Sequence, residues 1–207
     1  MIINTKQEFE RQGSLLFNEI ELPLTDAEWQ RIETLLDEVE YEHIVGGDAG
    51  EGHSVRVCRF YNDVDKPVAL HAHSKEISRI VMSAKMIAFY KKILGSEELC
   101  LRRCQANRLQ QGDYIGMHVD QDSNPDYFAT VVFHFDATYK GGDFITRDQQ
   151  RGDHSYSPQR RAVLINDCSI PHEVSTVESG QRKTLACFLS KNFSDSNHHR
   201  KEFKVVK

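Results

Sequence analysis

The second half of the chain alternates between short apolar runs and polar turns. Runs rich in Val, Ile, Leu and Phe, bounded by Gly, Pro, Asp and Asn, predict β-strands. They lie near residues 103–110, 113–118, 126–136, 143–147, 161–166, 171–177 and 182–190. Gly141-Gly142 allows two backbones to approach closely at a tight corner. The polar stretch 148–160 is predicted to be a long loop on the rim.

The first half shows apolar residues at helical spacing. The capping box Thr25-Asp-Ala-Glu28 predicts a helix that ends near Glu40. A second helix is predicted from Lys75 to Leu94, since Gly95 suits the position that ends a helix. The stripes expected to face the core are Trp29, Ile32, Leu35, Leu36 and Val39, and then Ile77, Ile80, Val81, Ala84, Ile87 and Ala88.

Two more strands are predicted in this half, one weak within residues 14–22 and one strong over Ser54–Tyr61. The stretch 46–52, between the first helix and the strong strand, is glycine-rich and acidic, which predicts a loop. We therefore expect a single domain over residues 1–207. It would comprise a support region of helices and strands (1–98), a β core (99–192) and a polar C-terminal tail (193–207).

Composition narrows the class of protein. The chain is 39% hydrophobic and 28% charged, as in ordinary globular proteins, and no apolar run is long enough for a membrane helix. The N-terminus lacks the layout of a secretory signal, so a cytoplasmic location is expected. The net charge of −5 argues against a nucleic-acid surface. We interpret the short basic clusters Arg102-Arg103, Arg160-Arg161 and 198–201 as solvated faces.

The five cysteines are odd in number and include no C-x-x-C pair. Cys58, Cys168 and Cys187 lie in apolar strand-like surroundings, which predicts buried thiols. A metal or redox pair of Cys100 and Cys104 is the alternative for the other two.

His118-Val119-Asp120 is the first candidate for chemistry. On an extended backbone, residues two apart share a face, so the imidazole and the carboxylate point the same way. With a distant second histidine, they would form the 2-His-1-carboxylate triad of non-haem Fe(II) oxygenases. His172 follows the apolar run 162–166 and is the candidate for that histidine.

Arg182 begins another strand pattern ten residues after His172, and Thr184 shares its face. A guanidinium there could hold a carboxylate bidentately. The alternatives are that H-x-D is a chance pair in a chain with ten histidines and that Arg182 is an ordinary strand residue. A second histidine pair, His71-Ala-His73, precedes the second helix without a partner carboxylate, and we interpret it as helix-entry or surface histidines.

The segment from Gln105 to Asn192 resembles the Fe(II)- and 2-oxoglutarate-dependent oxygenases, nearest the prolyl-4-hydroxylase-like branch. Gly141-Gly-Asp-Phe144 is similar to the G-G-x-F/L step of that branch. The resemblance implies a mainly β (α+β) protein whose core is a double-stranded β-helix, a cupin-like jelly roll, buttressed by N-terminal helices. Where prolyl hydroxylases often carry a tyrosine, this chain has Leu109.

By position, the resemblance makes His118, Asp120 and His172 the iron ligands. Arg182, with Thr184 and Asn107, would bind 2-oxoglutarate. Such an enzyme consumes O2, decarboxylates 2-oxoglutarate to succinate and CO2, and can be stimulated by ascorbate. Because the carboxylate of Asp120 is retained, hydroxylation of a C–H bond is expected rather than halogenation. The family also suggests that residues 44–53 form part of a lid.

The substrate is predicted from a narrower resemblance. The stretch from Asn107 to Val132 is similar to free amino acid hydroxylases and halogenases of the lysine type. Asp122, Asn124 and Asp126 would then meet a cationic substrate, but the same residues are typical of a turn. We expect a small-molecule substrate, no nucleic-acid or membrane partner, and a monomer or homodimer.

Two other functions remain open. A peptidyl-prolyl hydroxylase would act on a protein, and a non-catalytic jelly-roll module would only bind a ligand. A nucleic-acid demethylase is disfavoured because the R-x5-R motif of that branch is absent, since Phe188 stands six residues after Arg182.

Overall fold

The protein is described here by a computed structural model that covers residues 5–47, 50–63, 67–157 and 159–191. The predicted tail 193–207 and residues 48–49 of the predicted lid lie outside this part of the chain. The helices are α1 (Thr5–Gln12), α2 (Asp26–Asp37), α3 (Ser74–Val81), α4 (Ala84–Leu94) and α5 (Asp120–Ser123), with a 3-10 turn at Glu19–Glu21.

The strands carry most of the architecture. They are β1 (Ser14–Phe17), β2 (Glu42–Val45), β3 (His53–Asp63), β4 (Pro67–Ala69), β5 (Cys100–Gln110), β6 (Tyr114–His118), β7 (Ala129–His134), β8 (Lys140–Gly141), β9 (Phe144–Thr146), β10 (His154–Tyr156), β11 (Ala162–Asp167), β12 (His172–Val174), β13 (Val177–Ser179) and β14 (Gln181–Ser190). Every predicted strand has a counterpart, although several are shorter than predicted.

Most strands form one long antiparallel sheet in the order β1-β11-β7-β14-β5-β3-β6-β12-β9-β10. β2 and β4 pair with β3 outside this path, and β8 pairs with β13. The sheet closes on itself, because side chains from β5, β7 and β14 line the same cavity as side chains from β6, β9 and β12. The predicted jelly-roll fold is confirmed.

Helices α1 to α4 pack on the outer face of the β5–β14–β7–β11 part of the sheet. The capping box forms as predicted: the Glu28 amide donates to Thr25 Oγ1 at 3.3 Å, and the Thr25 amide donates to the Glu28 carboxylate at 2.8 Å. Trp29 is fully buried, with its ring edge-on to Phe133 and Phe135 at 5.9 and 5.7 Å. This layer supports the sheet from outside and leaves the other face free to form a cavity.

The prediction of one continuous helix from Lys75 to Leu94 is wrong. The helix breaks at Met82 and Ser83, where Ser83 is extended (φ −61°, ψ 155°), and continues as α4. The break changes the helical phase, so Ala84 and Ala88 are exposed, although they were predicted to be buried. The residues of α4 that face the core are instead Met86, Tyr90, Ile93 and Leu94.

The N-terminal segment also differs from the prediction, since a helix, α1, precedes a strand of only four residues. The rim loop 148–160 contains the short strand β10. The basic clusters are not uniformly solvated: Arg102 and Arg103 are 1% and 7% exposed, and Arg161 is buried in ion pairs with Glu19 and Asp26.

The thiols predicted to be buried, Cys58, Cys168 and Cys187, are buried. Cys104 does not pair with Cys100. It lies across the β5–β14 ladder from Cys187, with the sulfurs 3.7 Å apart and both thiols free.

Candidate active site

His118, Asp120 and His172 converge at one end of the cavity. His118 Nε2 lies 3.5 Å from Asp120 Oδ1, and His172 Nε2 lies 3.7 Å from the same oxygen. One potential ligand atom from each residue lies within 4.8 Å of the other two, and these three form the only such metal-binding group among the residues that the structure describes. Two imidazoles and one carboxylate on one side of a point fit a six-coordinate divalent metal with three positions left open.

Sheet pairing brings the two histidines together. His172, at the start of β12, is the register partner of His118, at the end of β6. A bulge between this pair and the next pair, Val174 with Ile115, turns both His118 and Ile115 toward the cavity. Val119 continues the extended backbone (φ −119°, ψ 126°), and Asp120 then begins α5. The side chains of His118 and Asp120 therefore meet, as their spacing predicted.

Hydrogen bonds around the triad fix its orientation. The Nδ1 atoms of His118 and His172 lie 2.9 Å from the backbone carbonyls of Gly116 and Ile170, to which they donate when protonated. That tautomer leaves each Nε2 lone pair directed at the centre of the group. The Thr130 hydroxyl donates to Asp120 Oδ2, so Oδ1 remains directed at the histidines. The polar partners are those expected around a metal site.

Electrostatics favour the ligand forms of Asp120 and His172, whereas the pKa of His118, which burial lowers, is raised overall by the neighbouring Asp120. Burial would raise the pKa of Asp120, but the His172 and His118 imidazoles and the Thr130 hydroxyl lower it below the usual value of a carboxyl group. Burial lowers the pKa of His172 to about 4. At neutral pH the site thus presents a carboxylate and a neutral imidazole, which are the forms that bind metals.

Arg182 lies deeper in the same cavity and is only 1% exposed. Its Nη1 is 3.3 Å from the Thr184 hydroxyl, and its Nε has no hydrogen-bond partner among the described residues. Burial lowers the pKa of Arg182, and the nearby Tyr139 and, to a smaller extent, Asp143 oppose this shift. No described carboxylate lies within ion-pair distance of the guanidinium. A buried cation of this kind is arranged to receive an anion.

Neighbouring strands complete the environment of Arg182. Asn107 pairs with Thr184 in the β5–β14 ladder and lines the cavity. Leu109, fully buried, is the register partner of Arg182 and supplies no polar contact. The second glycine of the predicted corner, Gly142 (φ +67°), faces Arg182: a Cβ there would lie 3.1 Å from Arg182 Cδ. Gly142 thus allows the guanidinium stem to pass.

His134 was not predicted, although it lies beside this group. It lies on β7, where it is the register partner of Thr184 on β14, and it is 4% exposed. Neither of its ring nitrogens has a hydrogen-bond partner among the described residues. Burial, with a further contribution from Arg182, lowers its pKa well below the usual histidine value. The alternation of Thr130, Val132 and His134 along β7 was the pattern that could have identified it.

Comparison with known proteins agrees with this geometry. A family model described as "2OG-Fe(II) oxygenase superfamily" matches residues 104–190, the segment that contains the triad and Arg182. The matched segment is a domain of the 2-oxoglutarate–Fe(II) oxygenase superfamily. Members depend on iron(II) and 2-oxoglutarate, and the chain is a dioxygenase of this kind.

Solved structures place the oxygenase among enzymes of one fold. It is 29% identical to a 2OG-Fe(II) oxygenase family oxidoreductase from Burkholderia pseudomallei, with a TM-score of 0.85 over 94% of this chain and 93% of that chain. A Pseudomonas putida prolyl-4-hydroxylase gives a TM-score of 0.64 at 14% identity, covering 93% of this chain and 100% of that chain. A Trichoplax adhaerens prolyl hydroxylase gives 0.65 at 14% identity, covering 91% and 88%.

A search of curated proteins found no match to the oxygenase. Within the described part of the chain, every helix is too short or too polar to span a bilayer.

The mouth of the oxygenase's cavity is formed partly by the loop between β2 and β3, in the region predicted to be a lid. Glu51 and His53 line the cavity, with Glu51 Oε1 3.2 Å from His53 Nε2. The His53 ring is edge-on to His118 at 5.4 Å. The Gly116 amide donates to the Gly52 carbonyl at 2.9 Å, and a Cβ at Gly116 would approach that oxygen to 2.3 Å. Gly116 therefore allows the loop to pack against the metal-site strand.

Other predicted site residues are not brought together. Asp122 is exposed, and Asp122, Asn124 and Asp126 are not among the residues that line the cavity. Asn124 is buried, and its side-chain oxygen accepts from the Asp126 amide at 2.9 Å, as in the turn that was the alternative. The His71 and His73 rings lie 4.8 Å apart in a tilted arrangement, and His73 pairs with Glu38, without a metal-binding group nearby in the described chain.

Proposed function

We propose that the oxygenase hydroxylates an unactivated C–H bond of a small substrate, a free amino acid, with iron held by His118, Asp120 and His172. Arg182 and Thr184 would bind the C5 carboxylate of 2-oxoglutarate, and Asn107 would border it. The observation that carries the proposal is the combination, in one cavity, of a metal-ligand group and a buried arginine without a described carboxylate partner.

His134 adds a second polar group to the 2-oxoglutarate site. With Leu109 beside Arg182, β5 offers no hydroxyl there. His134 is neutral because burial and Arg182 lower its pKa, so it has one N–H that can donate to a carboxylate. A neutral donor beside a buried guanidinium lets the site accept one carboxylate without an added charge.

The protein's own residues account for the positioning. When bound, iron and 2-oxoglutarate supply the oxidising chemistry, and 2-oxoglutarate is converted to succinate and CO2. Asp120 keeps the carboxylate position of the triad, held by Thr130, so this position is not open to a halide. Apolar groups such as Val132, Phe144 and Val174 line the cavity and limit the access of water.

The cavity favours a small reacting group. Its volume is about 110 Å³, and the reacting group of the substrate would share this space with 2-oxoglutarate. A prolyl residue of a peptide remains the second candidate substrate, and the prolyl hydroxylases above support it by fold alone. The single-domain organisation, the oligomeric state and the cytoplasmic location stay predictions.

The experiment is anaerobic loading with Fe(II) and 2-oxoglutarate, followed by oxygen in the presence of free amino acids or proline peptides. Succinate and a product 16 Da heavier than its substrate would be measured together. The matched pair of variants is Asp120→Ala, which removes a triad residue, and Asp122→Ala, which alters an exposed carboxylate two residues away.

A heavier product from one free amino acid, lost in Asp120→Ala and kept in Asp122→Ala, is the expected result. A product from peptides alone would replace the proposed substrate with the prolyl one. If the wild type retained no iron and produced no succinate, the oxidation chemistry itself would be rejected for this chain.

A further inference from the structure

A second cationic group lies in the cavity, away from Arg182. Arg103 on β5 and Arg59 on β3 both line it, and both face inward because they alternate with residues of the helix-covered core, such as Cys104, Cys58 and Phe60. Arg59 is the register partner of Gln105, two residues from Arg103, and its Nη1 lies 4.0 Å from Glu42 Oε2. The two arginines therefore lie on adjacent strands of one wall.

This wall is level with the metal-site end of the cavity. In the sheet register, Phe188 pairs with Thr130 on one side and with Arg103 on the other. Thr130 is the residue whose hydroxyl holds Asp120. Arg103 is thus two strands, or roughly 10 Å, from the strand position that supports the metal ligand. A small molecule could contact Arg103 and still place a carbon near the metal.

Arg103 is held in place before any ligand arrives. Its Nε donates to Gln105 Oε1 at 2.7 Å, and its guanidinium lies 5.2 Å from the centre of the Phe188 ring. Gln105 Nε2 in turn donates to Asn107 Oδ1 at 2.9 Å. The three side chains are 7–8% exposed. An arginine fixed by a glutamine and an aromatic ring loses little conformational entropy when it binds a carboxylate.

The 2-oxoglutarate predicted at Arg182 would not occupy this wall. Arg182 contacts Thr184 and Arg103 contacts Phe188, and these two residues are four positions apart on β14, about 13 Å. That separation exceeds the length of a five-carbon dicarboxylate. The two arginines are therefore held at different levels of the cavity wall.

We propose that Arg103, with Arg59 beside it, binds a carboxylate of the substrate, so that the oxygenase acts on carboxylate-bearing small molecules. This inference rests on the proposed function, because it assigns the substrate end of the same cavity. Asp122, Asn124 and Asp126 were expected to bind a cationic group of the substrate. The present proposal instead assigns an anionic group of the substrate to Arg103 and Arg59. A free amino acid satisfies it, and an internal prolyl residue of a peptide does not.

The test uses pairs of ligands that differ only in charge. Binding of the twenty free L-amino acids and of their carboxamides would be measured by calorimetry on the anaerobic enzyme loaded with Fe(II) and 2-oxoglutarate. A proline tripeptide with a free or an amidated C-terminus forms a third pair, which distinguishes a peptide carboxylate from that of an amino acid. We expect at least one free amino acid to bind about ten- to a hundredfold more tightly than its carboxamide.

Three variants locate the effect. Arg103→Gln should weaken the binding of that amino acid by about ten- to a hundredfold and abolish the preference over the carboxamide, while leaving the Kd of 2-oxoglutarate within about twofold. Arg59→Gln, at a less buried position, should act in the same direction more weakly and serves if Arg103→Gln does not fold. Arg108→Gln is the matched control: it lies on the same strand but faces outward, against Asp37 and Tyr41.

The outcomes separate the two proposals. Equal binding of carboxylates and carboxamides, an unchanged preference in both Arg103→Gln and Arg59→Gln, or no binding by any amino acid would overturn the carboxylate assignment while 2-oxoglutarate still binds. If only the tripeptide bound more tightly with a free C-terminus than with an amidated one, the bound carboxylate would be that of a peptide terminus. This result would overturn the assignment of a free amino acid as the substrate. Failure of the wild type to bind 2-oxoglutarate would instead count against the proposed function.

Discussion

Two groups of residues that line the cavity are built in different ways. The first, named the closed end, is the triad with Arg182, and the second, named the open end, is the β2–β3 loop with the arginines of β3 and β5. At the closed end, the triad and Arg182 are held by strand register, backbone carbonyls and buried hydroxyls, and these contacts come from the sheet and the turns next to it. At the open end, the cavity is bordered by the β2–β3 loop, which packs on Gly116, and by inward-facing arginines of β3 and β5. The closed end is suited to fixed chemistry, whereas the open end is suited to variation in substrate.

The largest expected effect is at the closed end. Asp120→Ala removes the only carboxylate of the triad, so metal affinity should fall by more than about a hundredfold, beyond the usual effect of losing an outer hydrogen bond. Titration with Co(II), followed by its absorption spectrum, measures this. Retention of one tightly bound metal per chain would show that the carboxylate is not a ligand.

Arg182→Gln tests the other anchor of the closed end. Loss of the buried guanidinium should raise the KM for 2-oxoglutarate by about ten- to a hundredfold, with metal affinity unchanged, because Arg182 does not belong to the triad. Lys183→Gln is the control, since the next residue of β14 points outward and pairs with Asp37. Equal effects of the two variants would mean that no specific anion site exists at Arg182.

Thr130→Val removes only the hydroxyl that holds Asp120 Oδ2. Because this change keeps the shape of the side chain, it should reduce metal affinity by about ten- to a hundredfold without unfolding the sheet. Thr146→Val is the matched control: Thr146 is also fully buried, but its hydroxyl has no hydrogen-bond partner in the described chain. The same loss in both variants would indicate general damage to the core.

The closed end could be predicted from sequence because its determinants are local. His118 and Asp120 are two residues apart, Arg182 and Thr184 likewise, and each strand carrying them has a clear apolar pattern. The open end depends on which strands become neighbours when the sheet closes. Arg103 was interpreted as part of a solvated cluster, although Arg103, Gln105 and Asn107 form a polar stripe that alternates with Cys104 and Ala106. That stripe was the sequence pattern from which an inward-facing Arg103 could have been predicted.

Long-range packing accounts for the other errors. His53 reaches His118 only because Gly116 admits the β2–β3 loop, and no spacing in the sequence records that approach. The break between α3 and α4 falls at Ser83, a residue type that often begins helices, so sequence contained a hint of it. The apolar pattern across the break was nevertheless continuous enough to predict one helix.

Gly116→Ala probes the junction between the two ends. A methyl group would clash with the Gly52 carbonyl, so the β2–β3 loop or β6 must shift, at a cost of about 1–3 kcal/mol of stability. Faster hydrogen exchange at residues 50–53, with metal affinity within about threefold of the wild type, is expected if the loop gives way. A large loss of metal binding would show instead that the strand moves and that the two ends are mechanically coupled.

The smallest effect concerns the pH dependence of stability at His134. Its pKa is lowered in the folded protein, so below the unfolded value of about 6.5 the unfolded chain binds a proton that the folded chain does not. Stability should therefore fall with decreasing pH, by about 1.4 kcal/mol per pH unit from this residue while it stays neutral in the fold. Urea unfolding of the wild type and of His134→Gln between pH 7 and pH 5 isolates the contribution, and the variant should show the shallower slope. Identical slopes would mean that His134 accepts a proton in the folded state, which would contradict its role as a neutral donor beside Arg182.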